Sequence, residues 1–405
     1  MGWQLAAWLG LSRALPLVAP AQLRRRLAQG REDPARWREK LGEPTAPRPK
    51  GRLVWLHAVG LGEVLALRGL ILAMAAEDPE LSFLVTSSAR SSAQVMAANL
   101  PPRTQHQFLP LDAPRYLRRF LAHWQPDLSV WAEQDLWPGA VVAADRAGVP
   151  LALVNARMNA ASYSRRARAR GLYADLFARF RLIAAQDDAS ARHLAALGAA
   201  APRATGSLKA AAPPLTADKA RLALLAAQIG DRPLWLLASS HPEDEAVALA
   251  QTRDRLLVIV PRDPARGRQV EAAARAAGHQ VSRQSSGDAP GGTAHIADAY
   301  GELGLWYRLA PVALVGGSFG PVEGHNPWEA AALGCAILHG PRTENFSADY
   351  NELDGAGAAL AISAETLGAA LTQDHGSMAA RARALSDAAK DSLAPLARDL
   401  LGLMA

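Results

Sequence analysis

Short apolar runs alternate with longer helix-like segments along most of the chain. The stretches between the runs are rich in alanine, leucine and arginine, and their apolar residues recur at the spacing of a helix face. This alternation predicts an α/β protein with parallel sheets that are covered by helices on both faces. The predicted strands are Leu53–His57, Leu81–Thr86, Leu128–Ala132, Leu151–Asn155, Leu182–Ala185, Leu234–Ala238, Leu256–Val260 and Val312–Val315.

A proline-containing segment interrupts this alternation in the middle of the chain. The sequence "GSLKAAAPPLTADK", from Gly206 to Lys219, combines Pro213, Pro214 and small residues, which is typical of a linker. The chain has 405 residues, half of them apolar, which is enough for more than one core. We therefore predict two α/β domains, 31–208 and 220–405, joined by residues 209–219 and facing each other across a central cleft.

The first 30 residues combine an apolar part with a basic end. Arg13 divides the apolar part into two uncharged runs, both shorter than the roughly 20 residues that a membrane-spanning helix needs. The basic cluster Arg24 to Arg26 follows the apolar part, which is the reverse of the order in a signal peptide. With Trp3 and Trp8, the pattern favours a helix at the interface of an anionic membrane leaflet. The alternative is a helix that simply packs against the rest of the protein.

Basic residues are concentrated in two segments. The net charge is +6, and residues 1–50 hold ten Lys/Arg and four acidic residues, so this segment accounts for the whole excess. A second segment, Arg157 to Arg181, has seven arginines and one acid, Asp175. Arginines without lysine favour bidentate contacts with phosphate or another anion, although a solvated helix face would have the same composition.

The chain contains one cysteine, Cys335, which excludes a disulfide framework and a site built from several thiolates. It fits a reducing compartment, so we expect the protein to work in the cytosol or facing it.

The first candidate site residue is a carboxylate that follows the first strand. In "HAVGLGE", Gly60 and Gly62 come directly before or within the start of a predicted helix, with Glu63 in its first turn. Small residues let a substrate approach the backbone, and the helix N-terminus should keep Glu63 ionised and able to accept a proton from a hydroxyl group. The alternative is a carboxylate that serves only as a partner of the helix dipole. A dinucleotide fingerprint is excluded because Leu65 stands where its third glycine belongs.

Other polar residues follow neighbouring strands of the same half. Glu133 and Asp135 come after 128–132, Arg157 follows 151–155, and Lys209 lies at the linker. Because the carboxyl ends of parallel strands meet at one edge of a sheet, we expect Glu63, Glu133, Arg157 and Lys209 to converge.

In the second half, Gly316-Gly317-Ser318 follows the strand 312–315, and Asn326-Pro327 opens a helix that contains Glu329. Glycines beside a helix N-terminus can cradle a phosphate, and an inward carboxylate can hold ribose hydroxyls. His325 lacks partners at metal-ligand spacing, so we expect no metal.

Taken together, these motifs resemble the bacterial Kdo transferases, which move 3-deoxy-D-manno-octulosonic acid (Kdo) from CMP-Kdo to the lipid A precursor, lipid IV-A. The resemblance runs from about residue 30 to about residue 360, in order. It is carried by "HAVGLGE", "AEQDLWP", "NARMNAASYSRR", "TGSLK", "PRDP", "GELGLWYRLAPVALVGGSF" and "GHNPWEAAALGCAILHGPRTENF".

The resemblance implies a metal-independent, inverting glycosyltransferase of GT-B type, with two Rossmann-like domains and no cofactor. The N-terminal domain would bind the acceptor and the C-terminal domain CMP-Kdo, at the cytoplasmic face of the inner membrane. Glu63 would be the general base, supported by Glu133 and Lys209. The predicted acceptor-binding residues are Gly60, Gly62, Arg157, Arg165 and Arg166. The predicted donor-binding residues are Pro261, Arg262, Tyr300, Gly301, Glu302, Gly317, Ser318, Asn326, Pro327, Trp328 and Glu329.

The sequence departs from the family's usual pattern at four places, which are Gly60-Leu61-Gly62, Glu133-Gln134-Asp135, Asp263 and Glu323. None of these removes a predicted catalytic residue, but Glu323 adds an acid near the donor site. Two other functions are kept as alternatives: a GT-B transferase or epimerase that uses another nucleotide sugar, and a nucleic-acid-binding protein that uses the arginine-rich segment. We expect no nucleic acid as a partner, since no standard nucleic-acid-binding motif is present.

Overall fold

The chain forms two compact units. The computed structural model describes residues 1–88, 100–133, 135–251 and 253–404, so Gln134 lies outside the described residues. The first unit comprises Met1–Ala212 together with Ala389–Ala405, and the second comprises Pro213–Ala388. The boundary falls within the predicted linker, directly before its two prolines, and Lys209 belongs to the first unit.

In the described part of the first unit, seven strands form one parallel sheet in the order β3-β2-β1-β4-β5-β6-β7. The chain builds outward from β1 to β3 and then returns to place β4 on the other side of β1. The carboxyl ends of β1 and β4 therefore mark the point where the strand order reverses, which is where ligands bind to such sheets. The strands are β1 Leu53–His57, β2 Ser82–Ser87, β3 Thr104–Phe108, β4 Leu128–Ala132, β5 Leu151–Ala156, β6 Leu182–Ala185 and β7 Arg203–Ala204.

The second unit has the same design. Its seven described strands are also parallel, in the order β10-β11-β9-β8-β12-β13-β14, and the strand order reverses between β8 and β12. The strands are β8 Leu234–Ser240, β9 Leu256–Pro261, β10 Val281–Arg283, β11 Ala294–Ile296, β12 Val312–Val315, β13 Ala336–His339 and β14 Ala359–Ala361. The predicted α/β class with two units is thus confirmed.

Helices cover both faces of each sheet. In the first unit they are Trp3–Ser12, Leu15–Ala28, Leu61–Glu77, Pro114–Trp124, Pro138–Arg146, Ala160–Ala167, Arg170–Phe177, Asp188–Ala196 and Leu393–Gly402, with a 3-10 turn at Trp37–Leu41. In the second they are Lys219–Ile229, Pro242–Leu249, Gly267–Ala276, Leu303–Leu309, Trp328–Ala331, Ser347–Gly355, Leu367–Ala370 and Gly376–Asp391, with 3-10 turns at Pro264–Arg266, Gln284–Ser286 and Glu344–Phe346.

Strand β1 shows why the sequence of a covered parallel sheet reads as a continuous apolar run. All five of its residues are buried. Leu53 and Trp55 point into the core on one face of the sheet, whereas Val54 and Leu56 point into the core on the other. Both faces of the strand must therefore be apolar, and the period-2 alternation of a half-exposed strand is absent from its sequence.

The last helix corrects the predicted domain limits. Residues 389–405 were assigned to the C-terminal domain, but they belong to the first unit. Leu393, Leu396, Ala397 and Leu400 repeat at helical spacing and pack into the core beside Leu67 and other residues of the helix Leu61–Glu77. Their apolar stripe predicts a helix that packs on something, but it does not identify the sheet that it covers.

The N-terminal segment is a pair of helices that pack on the first unit while leaving apolar residues exposed. Leu5 is fully buried, and the Trp8 indole donates to an Asp112 carboxylate oxygen at 2.7 Å. Of the ten large apolar side chains that are exposed among the described residues, six lie in this segment: Met1, Trp3, Trp8, Leu11, Leu17 and Val18. Among the described residues, no helix has both the length and the apolar content to cross a bilayer.

Candidate functional site

Glu63 lies at the reversal point of the first sheet, in the first turn of the helix after β1. Its Oε2 accepts hydrogen bonds from the backbone N–H groups of Val59 and Gly60, both at 3.1 Å. A Cβ on Gly60 would lie 3.1 Å from Glu63 Oε1, so the glycine makes room for the folded-back carboxylate. Gly62 is exposed, with no atom within 4 Å of the place where a Cβ would lie.

Glu133 and Lys209 form an ion pair beside this carboxylate. Lys209 Nζ lies 2.9 Å from Glu133 Oε1, and only 12% and 13% of the two side chains are exposed. The same Glu133 oxygen accepts from Asn155 Nδ2 at 3.3 Å. Glu133 has a backbone φ of 60°, a left-handed conformation that is uncommon for residues other than glycine. The strand end is therefore strained where it turns this carboxylate toward Lys209.

The electrostatics of Glu63 differ from the expectation. The helix N-terminus was expected to favour the ionised carboxylate, and the two backbone N–H groups do act in that direction. Burial acts against it and is the largest cause, and the negative charges of Glu133 and Asp135 add to the effect, so the pKa of Glu63 is raised. In the pKa of Glu63, burial and the neighbouring carboxylates therefore outweigh the expected effect of the helix N-terminus. A raised pKa makes this carboxylate a better proton acceptor, because basicity rises with pKa.

The predicted arginines occupy different environments. Arg157 follows β5 directly, at the same edge of the sheet as Glu133. Arg165 is exposed on the helix Ala160–Ala167, whereas Arg166 is half-buried, with its guanidinium carbon 5.7 Å from the centre of the Tyr173 ring. Arg165 is therefore more accessible to an external anion than Arg166.

In the second unit, Asp244 occupies the glycine-rich loop that was predicted to hold a phosphate. Its carboxylate accepts from the backbone N–H groups of Gly317 at 2.7 Å, His241 at 3.0 Å and Phe319 at 3.1 Å. Ser318 is fully buried, and its hydroxyl donates to Val315 O and accepts from Gly340 N–H, both at 2.8 Å. The Gly317 N–H and the Ser318 hydroxyl therefore have partners within the protein, and the donor-binding roles of the two residues stay predictions.

Two histidines face each other at the reversal point of the second sheet. His241 follows β8, His325 lies in the loop after β12, and their Nε2 atoms are 2.8 Å apart. Burial lowers the pKa of His325 to about 4, and the positive charges of His241 and Arg262 act in the same direction. At neutral pH His325 is uncharged, so one ring nitrogen of the pair can donate while the other accepts.

Glu329 is a carboxylate with an altered acidity next to this pair. Burial raises the pKa of Glu329 to about 7, while the charge of Arg262 and a hydrogen bond from Asn326 oppose the shift. Arg262 is exposed, directly after β9, and its backbone N–H donates to Ser240 O at 3.1 Å. Arg262, Asn326 and Glu329 thus form one polar group at the carboxyl edge of the sheet.

The other predicted donor-binding residues divide into accessible and buried ones. Tyr300 is 79% exposed, and the adjoining Gly301 has a left-handed φ of 83°. The Glu302 carboxylate accepts a hydrogen bond from the side-chain amide of Gln284 and lies 3.9 Å from Arg221 Nε. Pro261 and Pro327 are buried. Trp328 is also buried, and its indole donates to Asp349 at 2.7 Å, so its N–H has a partner within the protein and its donor-binding role stays a prediction.

Glu323, the extra acid noted in the sequence, points to a structural partner. Its Oε1 lies 2.8 Å from Arg342 Nη2, and its backbone φ is 61°. An ion pair between the loop after β12 and the segment after β13 therefore accounts for this charge without a ligand.

The comparisons with known proteins agree on one family. Residues 35–212 match the family model described as 3-Deoxy-D-manno-octulosonic-acid transferase (kdotransferase). A probable mitochondrial 3-deoxy-D-manno-octulosonic acid transferase of Arabidopsis thaliana is 34% identical over 343 residues, covering 80% of this chain and 77% of that protein. The 3-deoxy-D-manno-octulosonic acid transferase of Bordetella pertussis is 33% identical, with coverage of 78% and 77%. The chain belongs to the Kdo transferase family.

Solved structures add the fold type. The UDP-GlcNAc 2-epimerase of Neisseria meningitidis has a TM-score of 0.57 at 16% identity, covering 85% of this chain and 99% of that one. HepE of Anabaena, in complex with UDP and glucose, has a TM-score of 0.56 at 12% identity, with coverage of 87% and 100%. At these identities the likeness shows the fold alone.

For this Kdo transferase, the predicted two-domain Rossmann-like GT-B fold, the glycosyltransferase class and Kdo transfer in lipopolysaccharide biosynthesis are therefore confirmed.

Several residues of the Kdo transferase site escaped the sequence analysis. No role was predicted for His241, and His325 was considered only as a metal ligand, which its lack of partners at metal-ligand spacing argued against. Their pairing joins positions 84 residues apart, which no local pattern reports. Asp244 was missed because a carboxylate in the first turn of a helix is common. Its three bonds to loop backbone appear only once the sheet is folded.

Proposed function

We propose that this Kdo transferase moves Kdo from CMP-Kdo to a hydroxyl group of the phosphorylated lipid A precursor, lipid IV-A, with inversion and without a metal ion. The carboxylate of Glu63 carries the proposal. Glu63 takes the proton of the acceptor hydroxyl as its oxygen bonds to the anomeric carbon of Kdo. The bond between that carbon and the phosphate oxygen breaks, and CMP leaves with the electron pair.

Glu133 and Lys209 support this step in the proposal. The Lys209 ammonium supplies positive charge to acidic reactants, and its 2.9 Å pairing with Glu133 fixes its position. Glu133 also raises the proton affinity of Glu63, since the two carboxylates repel each other. Gly60 and Gly62 keep the loop thin enough for the acceptor to approach.

The donor is bound by the second unit. Arg262 and the histidine pair would contact the CMP phosphate, and Asn326 and Glu329 would contact the ribose hydroxyls. Tyr300, Gly301 and Glu302 form the accessible loop after β11, and Pro261 and Pro327 contribute through the backbone. Gly317, Ser318 and Trp328 act indirectly by holding these loops.

The acceptor and the membrane are engaged by basic and apolar surfaces of the first unit. Arg157, Arg165 and Arg166 would meet the phosphates of the acceptor. The two N-terminal helices expose an apolar group (Trp3, Leu11, Leu17 and Val18) and carry exposed arginines at 24–26 and 31. This composition suits a monotopic or peripheral protein on an anionic leaflet, which we assign to the cytoplasmic face of the inner membrane.

The direct test is a transfer assay with purified protein, lipid IV-A, and CMP-Kdo generated in place, with a chelator added. Mass spectrometry should show a product heavier by one or more Kdo residues. The absence of product from a folded, CMP-binding protein would contradict the proposed acceptor. Thermal stabilisation by UDP rather than CMP would favour a different nucleotide-sugar enzyme.

The membrane proposal is tested by co-sedimentation with vesicles that contain anionic lipid. Leu17→Asp should weaken binding, because it places a charge in the exposed apolar group. Leu224→Asp is the matched control, since Leu224 is an exposed leucine of the second unit. Equal binding by both variants and the wild type would rule out this surface.

A further inference from the structure

Asn155 joins the two parts of the Glu133–Lys209 pair through one buried amide. Its Nδ2 donates to Glu133 Oε1 at 3.3 Å, and its Oδ1 accepts from the backbone N–H of Leu208 at 3.0 Å. Leu208 directly precedes Lys209, and Asn155 is 1% exposed. One side chain thus connects the carboxylate after β4 to the segment that carries its ammonium partner.

The backbone of Asn155 is shaped to deliver this amide. Its φ is 53°, in the left-handed region, and the pairing of β5 with β6 is irregular between Leu153 and Ala156. Its carbonyl oxygen accepts from Gln186 Nε2 at 3.1 Å. Asparagine tolerates a left-handed backbone better than most residues. A β-bulge of this kind changes the direction of a side chain at the end of a strand.

The two partners of Asn155 require an amide in one orientation. Glu133 Oε1 needs a donor, whereas Leu208 N–H needs an acceptor, and only the amide offers both on a side chain of this length. An aspartate would satisfy Leu208 but would place a second carboxylate against Glu133. A glycine would relieve the backbone but would leave both partners without this contact.

We propose that Asn155 is a positioning residue for Kdo transfer, which fixes Glu133 against the segment that carries Lys209. This inference rests on the proposed roles of Glu63, Glu133 and Lys209. Asn155 touches neither reactant in this account. Lys209, on the segment after β7, pairs with Glu133, and the charges of Glu133 and Asp135 act on Glu63 at the start of the helix after β1.

Three variants separate positioning from mere stabilisation. Asn155→Asp keeps the hydrogen-bond acceptor and removes the donor. Asn155→Gly relaxes the backbone and removes both groups. Asn351→Asp is the control, since it adds a charge at an exposed helix position of the second unit. We expect both Asn155 variants to lose about 10- to 100-fold in kcat, with the KM for CMP-Kdo changed less than about twofold. In Asn155→Asp the acid limb of the kcat profile should also move to higher pH, because the added charge raises the pKa of Glu63. Asn351→Asp should match the wild type.

A second readout does not depend on turnover. Acetylation of Lys209, followed by peptide mass spectrometry, should be several-fold faster in Asn155→Gly, because the segment has lost its anchor. The exposed Lys219 serves as the internal reference. If Lys209 is labelled faster in Asn155→Gly but the wild type transfers no Kdo, the positioning role of Asn155 is upheld and the proposed function is overturned. If kcat, its pH profile and the labelling rate are all unchanged in the variants, the role of Asn155 is overturned. It is also overturned if the variants lose thermal stability while the acidic side of the kcat profile and the labelling rate stay as in the wild type.

Discussion

The two units use the same sheet edge for different chemistry. Both place their polar residues where the strand order reverses, and both have a left-handed residue with a φ of 53° at a strand end, Asn155 in the first and Ser239 in the second. At each of these positions the strand pairing is also irregular. The two units therefore share the backbone conformation at this strand end, and they differ in the side chains that it presents.

The first edge brings charges of both signs together, with one carboxylate of raised pKa beside an ion pair. The second edge is held by a buried carboxylate, Asp244, that binds loop backbone, and it presents uncharged imidazole. Each edge therefore carries a carboxylate of raised pKa, but Glu63 lies beside a carboxylate–ammonium pair, whereas Glu329 lies beside Arg262 and Asn326. This difference agrees with the proposed division of roles, in which base catalysis belongs to the first unit and nucleotide binding to the second.

The largest effect should come from removing the positive charge of the first edge. Lys209→Met leaves Glu133 uncompensated beside Glu63, which raises the pKa of Glu63 further. We expect kcat to fall about 100- to 1,000-fold and the acidic side of the pH profile of kcat to move to higher pH. Lys209→Arg, which keeps the charge, should retain more activity. Steady-state kinetics against pH measure both, and a wild-type profile in Lys209→Met would remove the pair from the mechanism.

A smaller effect is expected from the acidic group of the second edge. With a folded-state pKa of about 7 against 4.5, Glu329 contributes stability that is fully present below pH 4.5 and is lost as the pH rises through 7. The free energy of unfolding of Glu329→Gln should therefore rise relative to that of the wild type between pH 5 and 8, by at most about 3 kcal/mol.

Urea unfolding of both proteins at pH 5 and pH 8 measures this gain. The same variant should weaken CMP binding, because it loses the proposed ribose contact. A stability difference that does not change with pH would contradict the raised pKa of this carboxylate.

The smallest effect concerns two glycines that stand two residues apart. Gly60→Ala would place a Cβ 3.1 Å from Glu63 Oε1, and we expect about a tenfold loss in kcat as the carboxylate shifts. Gly62→Ala meets no atom within 4 Å, so Glu63 should stay in place and the helix should gain up to about 1 kcal/mol. A higher KM for the acceptor in Gly62→Ala would support close approach of the substrate there. Equal kinetics for both variants would show that Gly60 does not position the base.

The sequence predicts the central strands well because they are buried on both faces. Leu53–His57, Leu128–Ala132, Leu182–Ala185 and Val312–Val315 have the predicted limits. The edge strand Thr104–Phe108 was missed because its sequence, "TQHQF", is largely polar and only its last two residues are fully buried. The strand Ala336–His339 and the short strands β7, β10, β11 and β14 were missed as well. A run of two or three residues, as in β7, β10, β11 and β14, leaves too little periodicity to detect.

The candidate site also combines features that the sequence predicts with features that only the fold reveals. Convergence of Glu63, Glu133 and Lys209 follows from the order of parallel strands, so it could be predicted. The raised pKa of Glu63 could not, since it depends on burial and on the distance between carboxylates. Ser318 and Trp328 have the right residue types for a donor site, but their polar atoms are used inside the protein. Sequence gives the residue type and approximate place, whereas the partner of each polar atom requires the fold.

The most direct test of this account is the Glu63→Gln variant, which keeps the size of the side chain and removes its basicity. Product formation from CMP-Kdo and lipid IV-A should fall at least about 100-fold, while the affinity for CMP, measured by calorimetry, stays within about twofold of the wild type. That result would place the base in the first unit and donor binding in the second. Near-normal turnover in Glu63→Gln would contradict the assignment of the base, and a matching loss of CMP affinity would contradict the division of roles between the two units.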